Sequence, residues 1–444
     1  MNPNGNTSGA QAVAGRLAGM GYRLQLPRPL LAPPGSDVLF VSPSARDWQA
    51  WTTEDMPRHE GGAVALQWSI RTTFLENSFS YTAPSAERVV SAAWRGRRPY
   101  PELLGDLRAA LEATGLRWAE IKFVVSATGD SHWVRDALAA SGVTADRLTY
   151  GPSPASMPSW MASTGIFLAL WASVGDPCSA RCDNVCSCGH RMYLAYCQFA
   201  KVIRSRDGQY VPSAQPAFQV LIREHALTSA LANTPDPFEV PAIQPLRKAA
   251  TDLISERPWS SDERPGVAAR RVSVLADHSF TGALLLGAGV RPAARGSSYV
   301  LRRLLRKAAT EFALAHIPVS RLIPLVAAAD EVRQVPFGFP PLSADARAAV
   351  DREVAALSSV LISGRRRFLQ RVPALDRSHD IAREIVRLKA ERGVPLALLL
   401  MWCKNEGVEV SLRHIAAADL PHQPLDDGRR HPHGFPSRSA LGWR

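Results

Sequence analysis

The chain has 444 residues, of which 46% are hydrophobic and 21% are charged. This balance is typical of a globular protein of two or three domains and excludes a wholly disordered chain. Lysine and arginine outnumber aspartate and glutamate by 52 to 40, and this surplus favours a polyanionic partner. The start lacks a secretory signal, and the charge-free stretch 148–175 is too broken by prolines to cross a membrane. We therefore expect a cytoplasmic protein without membrane association.

Residues 16–240 predict a domain in which strands outnumber helices. Several predicted strands follow one another without an intervening helix, which is typical of a largely antiparallel sheet flanked by helices, the α+β class. Residues 1–15, rich in asparagine and glycine, predict a disordered start. The predicted strands span 37–42, 63–70, 121–127 and 191–203, and the predicted helices span 101–115 and 132–142.

Predicted strands nearly vanish after residue 240. Apolar residues recur at helical spacing in five long segments, so residues 241–420 predict an all-helical domain. The end of the chain, 421–444, is rich in arginine, histidine and proline and predicts a loose basic tail.

The segment 296–313, GSSYVLRRLLRKAATEFA, predicts an amphipathic helix with one basic face. Apolar residues such as Val300 and Leu304 fall on one side at helical spacing. A basic helix face is usually solvated surface, but it can also bind the phosphates of RNA, and the pattern allows both readings. The cations of this face are Arg302, Arg303, Arg306 and Lys307.

Five of the six cysteines lie within residues 178–197. The run Cys-x3-Cys-x3-Cys-x-Cys-x-His can supply soft ligands for a structural zinc, although its spacing is not that of a standard zinc knuckle. The alternative is a set of reduced, partly buried thiols. The candidate ligands are Cys178, Cys182, Cys186, Cys188 and His190.

Residues 274–309, VLADHSFTGALLLGAGVRPAARGSSYVLRRLLRKAA, resemble a segment of alanyl-tRNA synthetases that runs from an "ADH" helix to "GYVLRRI.RRA". Residues 393–410, GVPLALLLMWCKNEGVEV, are similar to a later segment of that family, and residues 30–45 are similar to its first class II motif. The resemblance covers about 12–415. It implies a class II synthetase-like antiparallel sheet over 16–240, followed by a helical tRNA-recognition-like domain over 241–420.

The resemblance also implies site residues. Residues 65–71, ALQWSIR, look like the strand that ends in the motif 2 arginine, so Arg71 is the catalytic candidate, because such an arginine stabilises charge on the α-phosphate; the alternative is a surface arginine at a strand end. Trp171 stands where the family walls its alanine pocket, or else belongs to the core. Arg223 stands at the motif 3 arginine. The other substrate-binding candidates are Glu76, Asp176, Gln215 and Gln219.

Departures from the family pattern bear on the activity. Arg71 runs directly into residues 72–81, TTFLENSFSY, which look like the next family strand, so we expect the motif 2 loop to be missing. Residues 213–224, SAQPAFQVLIRE, lack the aspartate and glycines of motif 3, and bulky residues there argue against ordinary ATP binding. Gln215 or Gln219 would then bind the amino group through hydrogen bonds.

The resemblance implies tRNA binding through phosphate contacts. The asparagine and aspartate with which the family reads the acceptor stem are absent, and phosphate contacts position an RNA without specifying it. The implied contacts are Arg295, Tyr299, Arg302, Arg303, Arg306 and Lys307.

These features lead to one expected function with two alternatives. We expect an aminoacyl transferase of the class II synthetase type that moves alanine onto a nucleoside-like acceptor, of the ascamycin aminoacyl-sulfamate type, in nucleoside antibiotic biosynthesis, with alanyl-tRNA as a donor. The alternatives are ATP-dependent adenylation and ligation of alanine on the same scaffold, and a noncatalytic RNA-binding or regulatory paralogue. The sequence carries no signal for an oligomeric state.

Overall fold

The computed structural model shows an eight-stranded sheet and twelve α-helices in the part of the chain that it describes. Two compact units, residues 1–357 and 358–444, make up the chain, and the sheet belongs to the first. None of the described helices is long and apolar enough to span a membrane. The described residues are 8–36, 38–43, 61–72, 83–126, 132–151, 165–179, 190–204, 210–238, 240–255, 265–335, 337–375 and 377–419.

The strands of the sheet pair in the order β1-β2-β3-β8-β7-β6-β4-β5. The inner pairs are antiparallel, whereas the edge pairs β1–β2 and β4–β5 are parallel. This mostly antiparallel sheet with helices against it confirms the predicted fold class. The strands are β1 Tyr22–Leu24, β2 Gly61–Ile70, β3 Ala86–Arg95, β4 Lys122–Ser126, β5 Leu148–Gly151, β6 Gly165–Ser173, β7 Arg191–Arg204 and β8 Tyr210–Arg223.

The helices divide between those that cover the sheet and those that follow it. The first four contribute to the core against one face of the sheet. The helices that begin after residue 240 account for the rest, as the helical spacing predicted. They are α1 Gly9–Gly19, α2 Tyr100–Glu112, α3 His132–Ala140, α4 Glu224–Ala232, α5 Gln244–Ser255, α6 Pro265–Gly287, α7 Gly296–Leu314, α8 Leu322–Gln334, α9 Ala344–Arg371, α10 Ser378–Arg392, α11 Leu396–Asn405 and α12 Leu412–Asp419.

The two faces of the sheet bury different side chains. Even-numbered residues of β3 and β8, such as Val90, Ala92 and Phe218, pack in the main hydrophobic core with α1 to α4. Successive side chains of a strand point to opposite faces, so the odd-numbered residues of β3 and β8 lie on the other face, together with the residues that pair with them in neighbouring strands. We call this the polar face. Its buried polar residues are Gln67, Ser69, Glu87, Ser91, Gln198, Gln219 and Arg223.

The helices after the sheet pack through their apolar sides. Helix α6 contacts α5, α7 and α8, and α10 contacts α11 and α12 in the second unit. In that unit the rings of Phe368 and Trp402 lie 5.6 Å apart. The amphipathic helix predicted at 296–313 is α7, whose apolar residues are buried as expected.

Most predicted elements of the first half are confirmed, but the strand at 37–42 is wrong. Residues 38–43 hold only an isolated bridge between Leu31 and Phe40. Pro33 and Pro34 lie on the turn side of this bridge, and proline has no N–H to donate, so the ladder cannot extend towards the turn. The confirmed elements are the strands at 63–70, 121–127 and 191–203 and the helices at 101–115 and 132–142.

The prediction of a disordered start is wrong for residues 8–15. Helix α1 begins at Gly9, with Ser8 and Gln11 in a reciprocal capping box that stabilises a helix by about 1 kcal/mol. Its buried side chains, among them Val13 and Leu17, join the main core. The first seven residues and the tail 421–444 lie outside the described residues, and the predicted boundary at 240/241 stays a prediction.

The expectation that the motif 2 loop is missing is also wrong. Strand β2 ends at Ile70 and its hairpin partner β3 begins at Ala86, so residues 71–85 connect them. The two strands pair over their whole length, from Gly61 with Arg95 to Ile70 with Ala86. The apolar run of β3 sets this register, whereas most of the segment 72–81 that was taken for the strand lies outside the described residues.

Candidate active site

Arg71, Glu87 and Arg223 meet at one end of the polar face. Arg71 follows the last residue of β2, Glu87 is the second residue of β3, and Arg223 ends β8. Arg223 Nε donates to Glu87 Oε2 at 2.9 Å, and Arg71 Nη1 donates to Glu87 Oε1 at 3.4 Å. We call these three residues the ion cluster. Both arginines were predicted from the resemblance, and they share a carboxylate that was not.

The ion cluster carries one net positive charge. Burial raises the pKa of Glu87, but Arg223, Arg71 and His225 together lower it to about 2, so the carboxylate is ionised at neutral pH. Burial, and then Arg223, lower the pKa of Arg71, but an arginine stays protonated in this range. Two guanidinium groups and one carboxylate therefore give these three residues together a single positive charge.

His225, the second residue of α4, lies beside the ion cluster. It is 4% exposed, and its Nδ1 is 3.6 Å from Glu87 Oε2. Within the described residues neither ring nitrogen has a hydrogen-bond partner. Burial, and then Arg223, lower the pKa of His225 to about 3, so the ring is neutral and offers one donor and one acceptor.

Two uncharged polar side chains, Ser91 and Gln219, continue the polar face from the ion cluster. Both are fully buried, and the register pairs Leu221 with Ser91 and Ala93 with Gln219, so the two are diagonal neighbours on one face. In the described part of the chain, Ser91 Oγ, both amide atoms of Gln219 and Nη2 of Arg223 have no hydrogen-bond partner. Each such group costs about 1–3 kcal/mol if it stays unpaired, so this row marks a place for a ligand or water.

Trp171 lies at the same end of the sheet as Arg223. Its ring is 5.0 Å from that of Tyr193, with 30° between the planes, and the Arg223 guanidinium lies over Tyr193 at 5.5 Å. Trp171 is only partly buried and does not belong to the main hydrophobic core. Burial raises the pKa of Tyr193, which is therefore neutral. Trp171 therefore lies outside the main hydrophobic core, and its role as a wall of an alanine pocket stays a prediction.

Helix α6 is linked to Arg71 of the ion cluster by two successive hydrogen bonds through Ser85. Asp277, of the "ADH" sequence, is 3% exposed, and its Oδ1 accepts from the Ser85 N–H at 2.8 Å. The Ser85 carbonyl in turn accepts from the Arg71 N–H at 2.8 Å. Asp277 Oδ2 lies 3.0 Å from His278 Nδ1. The helical region thus holds the segment that ends β2, and with it Arg71.

The remaining substrate-binding candidates are placed less informatively. Asp176 is exposed in the segment after β6. Gln215 belongs to β8, but its side chain lies outside the described residues, as does the whole of Glu76. Their predicted roles stay predictions.

The basic face of α7 is partly neutralised. Arg302 Nε donates to Glu353 Oε1 of α9 at 3.1 Å, and Arg306 Nε donates to the same oxygen. Both guanidinium groups are partly exposed, whereas Glu353 is 12% exposed. The predicted face exists, but an acidic side chain already engages two of its four cations.

The other residues of the predicted tRNA contact lie around α7. Burial lowers the pKa of Lys307, with Arg270 and Arg303 adding to the effect and Glu311 opposing it. Arg303 is partly buried, whereas Arg295 and Tyr299, at the start of the helix, are exposed. Arg295 and Tyr299 are therefore the more accessible of the predicted contacts.

The predicted zinc ligands are only partly described. Cys178 is exposed, and the buried His190 donates from Nδ1 to the carbonyl oxygens of Val174 and Gly175, at 3.0 and 3.1 Å. Cys182, Cys186 and Cys188 lie outside the described residues. Among the side chains that are described, no group of three or more His, Cys, Asp or Glu could hold a metal.

Sequence reasoning missed Glu87, Ser91 and His225. A signal was present in β3, where Glu87 and Ser91 are four residues apart, a spacing that places both side chains on one face of a strand. His225 carried no such signal, because only the fold brings the start of α4 beside β3.

The geometry defines a sheet with one polar face and two arginines at its end, and sequence comparison names the class. The model of the family described as tRNA synthetases class II (A) matches residues 197–424, just over half of the chain. The chain belongs to this family. Within it, the chain is related to alanyl-tRNA synthetases, as the following relatives indicate.

The chain is 29% identical over 216 residues to an alanine–tRNA ligase of Mycobacterium ulcerans, covering 46% of this chain and 23% of that protein. It is 29% identical over 181 residues to that of Tropheryma whipplei, covering 39% and 19%. The chain thus covers less than a quarter of the length of these relatives. Among solved structures, it is 12% identical to a putative threonyl-tRNA synthetase of Aeropyrum pernix, with a TM-score of 0.33 and coverage of 75% and 88%. For the apo histidyl-tRNA synthetase of S. aureus the identity is 12% and the TM-score 0.34, with coverage of 50% and 65%.

Proposed function

We propose that the chain is an alanyl transferase that moves an alanyl group from alanyl-tRNA to a nitrogen of a nucleoside-like acceptor, of the ascamycin aminoacyl-sulfamate type. The acceptor nitrogen attacks the ester carbonyl and a new N–acyl bond forms. The ester C–O bond to the terminal ribose breaks, and the proton of the nitrogen goes to the ribose oxygen. No oxidant and no ATP is needed for this step.

The ion cluster is the observation that carries this proposal. The negative charge that develops on the carbonyl oxygen would be stabilised by the net positive charge of Arg71, Arg223 and Glu87. Holding both reactants on the polar face would supply much of the rate. Trp171, beside Tyr193, would limit the pocket to a small side chain such as that of alanine.

The membership in a tRNA synthetase family supports tRNA as the donor. The cations of α7, with the exposed Arg295 and Tyr299 at its start, would bind the acceptor stem through its phosphates. A donor that is already activated avoids the need for a γ-phosphate site, and residues 213–224 contain neither the aspartate nor the glycines of the family's third motif.

Two assays run side by side test the proposal. One measures alanine-dependent exchange of pyrophosphate into ATP, and the other measures alanyl transfer from charged tRNA to adenosine sulfamate. We expect transfer without exchange, and we expect Arg71→Ala to abolish transfer. Arg135→Ala removes the same charge at an exposed position on α3 and should leave transfer unchanged.

The outcomes separate the alternatives. Robust exchange would replace the tRNA-donor mechanism by ATP-dependent adenylation. Silence in both assays, with tight binding of tRNA, would favour the noncatalytic paralogue.

A further inference from the structure

Helix α9 carries an apolar stripe along one side. Every seventh residue from its fifth position onward is apolar, and seven residues make nearly two turns of a helix, so these side chains point the same way. Ile362 and Leu369 are 63% and 45% exposed, and Ala355 is exposed as well. We call this set the α9 stripe; its residues are Ala348, Ala355, Ile362 and Leu369.

The α9 stripe is a different surface from the basic face of α7. Glu353, which accepts hydrogen bonds from Arg302 and Arg306 of α7, is nine residues before Ile362. Nine residues turn a helix through about two and a half turns, so the side chains of Glu353 and Ile362 point in opposite directions. The stripe therefore lies on the side of α9 that faces away from α7.

We propose that the α9 stripe packs against the α9 stripe of a second copy of this chain, with the two helices antiparallel. A two-fold axis midway along the stripe places Ala348 opposite the partner's Leu369, and Ala355 opposite the partner's Ile362. Each large side chain then meets a small one, so the two helices can approach closely and interdigitate. A parallel pair would instead set alanine against alanine and Ile362 against its own copy.

The charges on the same side of α9 match this antiparallel pairing. The alignment that sets Ala355 opposite Ile362 also sets Asp351 opposite the partner's Arg366, and the two-fold axis makes this pair twice. Both side chains are exposed, and in the described part of the chain neither is engaged by an ion pair or a hydrogen bond. A parallel pair would bring two aspartates together and two arginines together, so the charges select the antiparallel direction.

A cavity beside the stripe offers a place for Leu369. It has a volume of about 360 Å³, lies between α8 and α9, and is lined in part by Ile323, Val350 and Asp351. Val350 is two residues from Ala348, the position that the partner's Leu369 faces. An exposed aliphatic side chain would thus leave water once in each half of a symmetric interface.

The dimer should be weak and reversible. A stable coiled coil has two apolar residues in each heptad, whereas the α9 stripe supplies one. The stripe extends for about 32 Å, given a rise of about 1.5 Å per residue, which limits the contact to a few layers of side chains. We therefore expect a dissociation constant on the order of 10 μM.

Sedimentation velocity of the full chain, from about 1 to about 100 μM, tests the association. We expect monomer at the low end and dimer at the high end. Ile362→Asp should raise the dissociation constant at least about tenfold, because a buried unpaired charge is costly. Leu412→Asp, at a position on α12 that is 65% exposed, is the control and should leave the constant unchanged. A chain that stays monomeric throughout, or equal effects of the two variants, would overturn the inference.

Charge reversal tests the direction of the pairing. Asp351→Arg alone and Arg366→Asp alone should each stay monomeric, because each would set like charges against each other. An equimolar mixture of the two variants should dimerise again, because every charge pair then joins one arginine with one aspartate. The double variant Asp351→Arg/Arg366→Asp should dimerise by itself, which a parallel pair would not allow. Failure of the mixture and of the double variant to associate would contradict the antiparallel dimer.

The inference stands apart from the proposed function and can fail separately from it. Association that is lost in Ile362→Asp would sustain the dimer even if no alanyl transfer were found. If the chain stays monomeric and Arg366→Asp weakens the binding of tRNA, this side of α9 binds nucleic acid and the inference is wrong.

Discussion

Glu87 is the residue on which the candidate site depends. Arg71 and Arg223 both contact it, and without its charge the two guanidinium groups would repel each other in a buried place. Glu87 joins residues that start β3, end β8 and follow β2, so it also fixes three strand ends relative to one another. A single carboxylate thus sets both the charge and the geometry of the ion cluster.

His225 should make the protein less stable as the pH falls below 6.5. Its pKa is about 3 in the folded chain and about 6.5 in the unfolded one, so between these values only the unfolded chain binds the proton. The free energy of unfolding should fall by up to about 1.4 kcal/mol per pH unit on acidification. Urea unfolding between pH 7 and 5 measures this slope, above the range in which Glu87 titrates.

His225→Gln is the variant for this measurement. It should flatten the slope, because glutamine does not titrate, whereas His414→Gln, at an exposed position, should leave it unchanged. The same slope in the unaltered protein and in both variants would contradict this prediction. It would show that His225 takes up its proton in the folded chain as readily as in the unfolded one.

At the scale of elements, α7 and α9 are joined by the same cations that were predicted to bind RNA. Glu353 accepts hydrogen bonds from Arg302 and Arg306, so its carboxylate engages two guanidinium groups that could otherwise bind phosphate. RNA that binds there has to displace Glu353 or share the two arginines with it. The acidic residue therefore sets how strongly α7 can bind a polyanion.

Glu353→Gln should increase the affinity for RNA several-fold at low salt, because it frees two guanidinium groups for phosphate. The dependence of affinity on salt should also steepen. Fluorescence anisotropy with an acceptor-stem RNA hairpin measures both. Glu331→Gln removes the same charge from an exposed position on α8, so an equal gain in that variant would assign the effect to net charge alone.

The cysteine segment should hold about one equivalent of zinc if Cys186 and Cys188 are ligands. Metal analysis of protein purified without a His-tag measures the content, which should be lost in Cys186→Ser and Cys188→Ser. Cys403→Ala, at a buried position in α11, is the control and should keep the metal. Metal well below one equivalent, with unaltered thermal stability in the serine variants, would identify the cysteines as free thiols.

At the scale of the whole molecule, local patterns were predictable and long-range contacts were not. The period of α7 and the apolar run of β2 are properties of short segments, and both elements are where the sequence put them. Glu87 and Arg223, by contrast, are 136 residues apart, and only the pairing of β3 with β8 brings them together. Arg71 and Arg223 were found because a family resemblance supplied the long-range information that periodicity lacks.

The chain should bind RNA through the cations of α7 and not through positive charge spread over its whole surface. The variant Arg302→Ala/Arg303→Ala/Arg306→Ala lowers the formal net charge from +12 to +9, by three. If these side chains contact phosphates, the slope of log affinity against log salt should become shallower by about two units, because binding then neutralises fewer phosphates and releases fewer counterions. Nitrocellulose filter binding from 50 to 200 mM salt measures the slope. A matched variant, Arg117→Ala/Arg135→Ala/Lys248→Ala, removes the same charge from exposed positions on other elements and should leave the slope nearly unchanged. Equal slopes in the two variants would show that the basic face of α7 is solvated surface. The only attraction would then be a diffuse one between a basic protein and RNA.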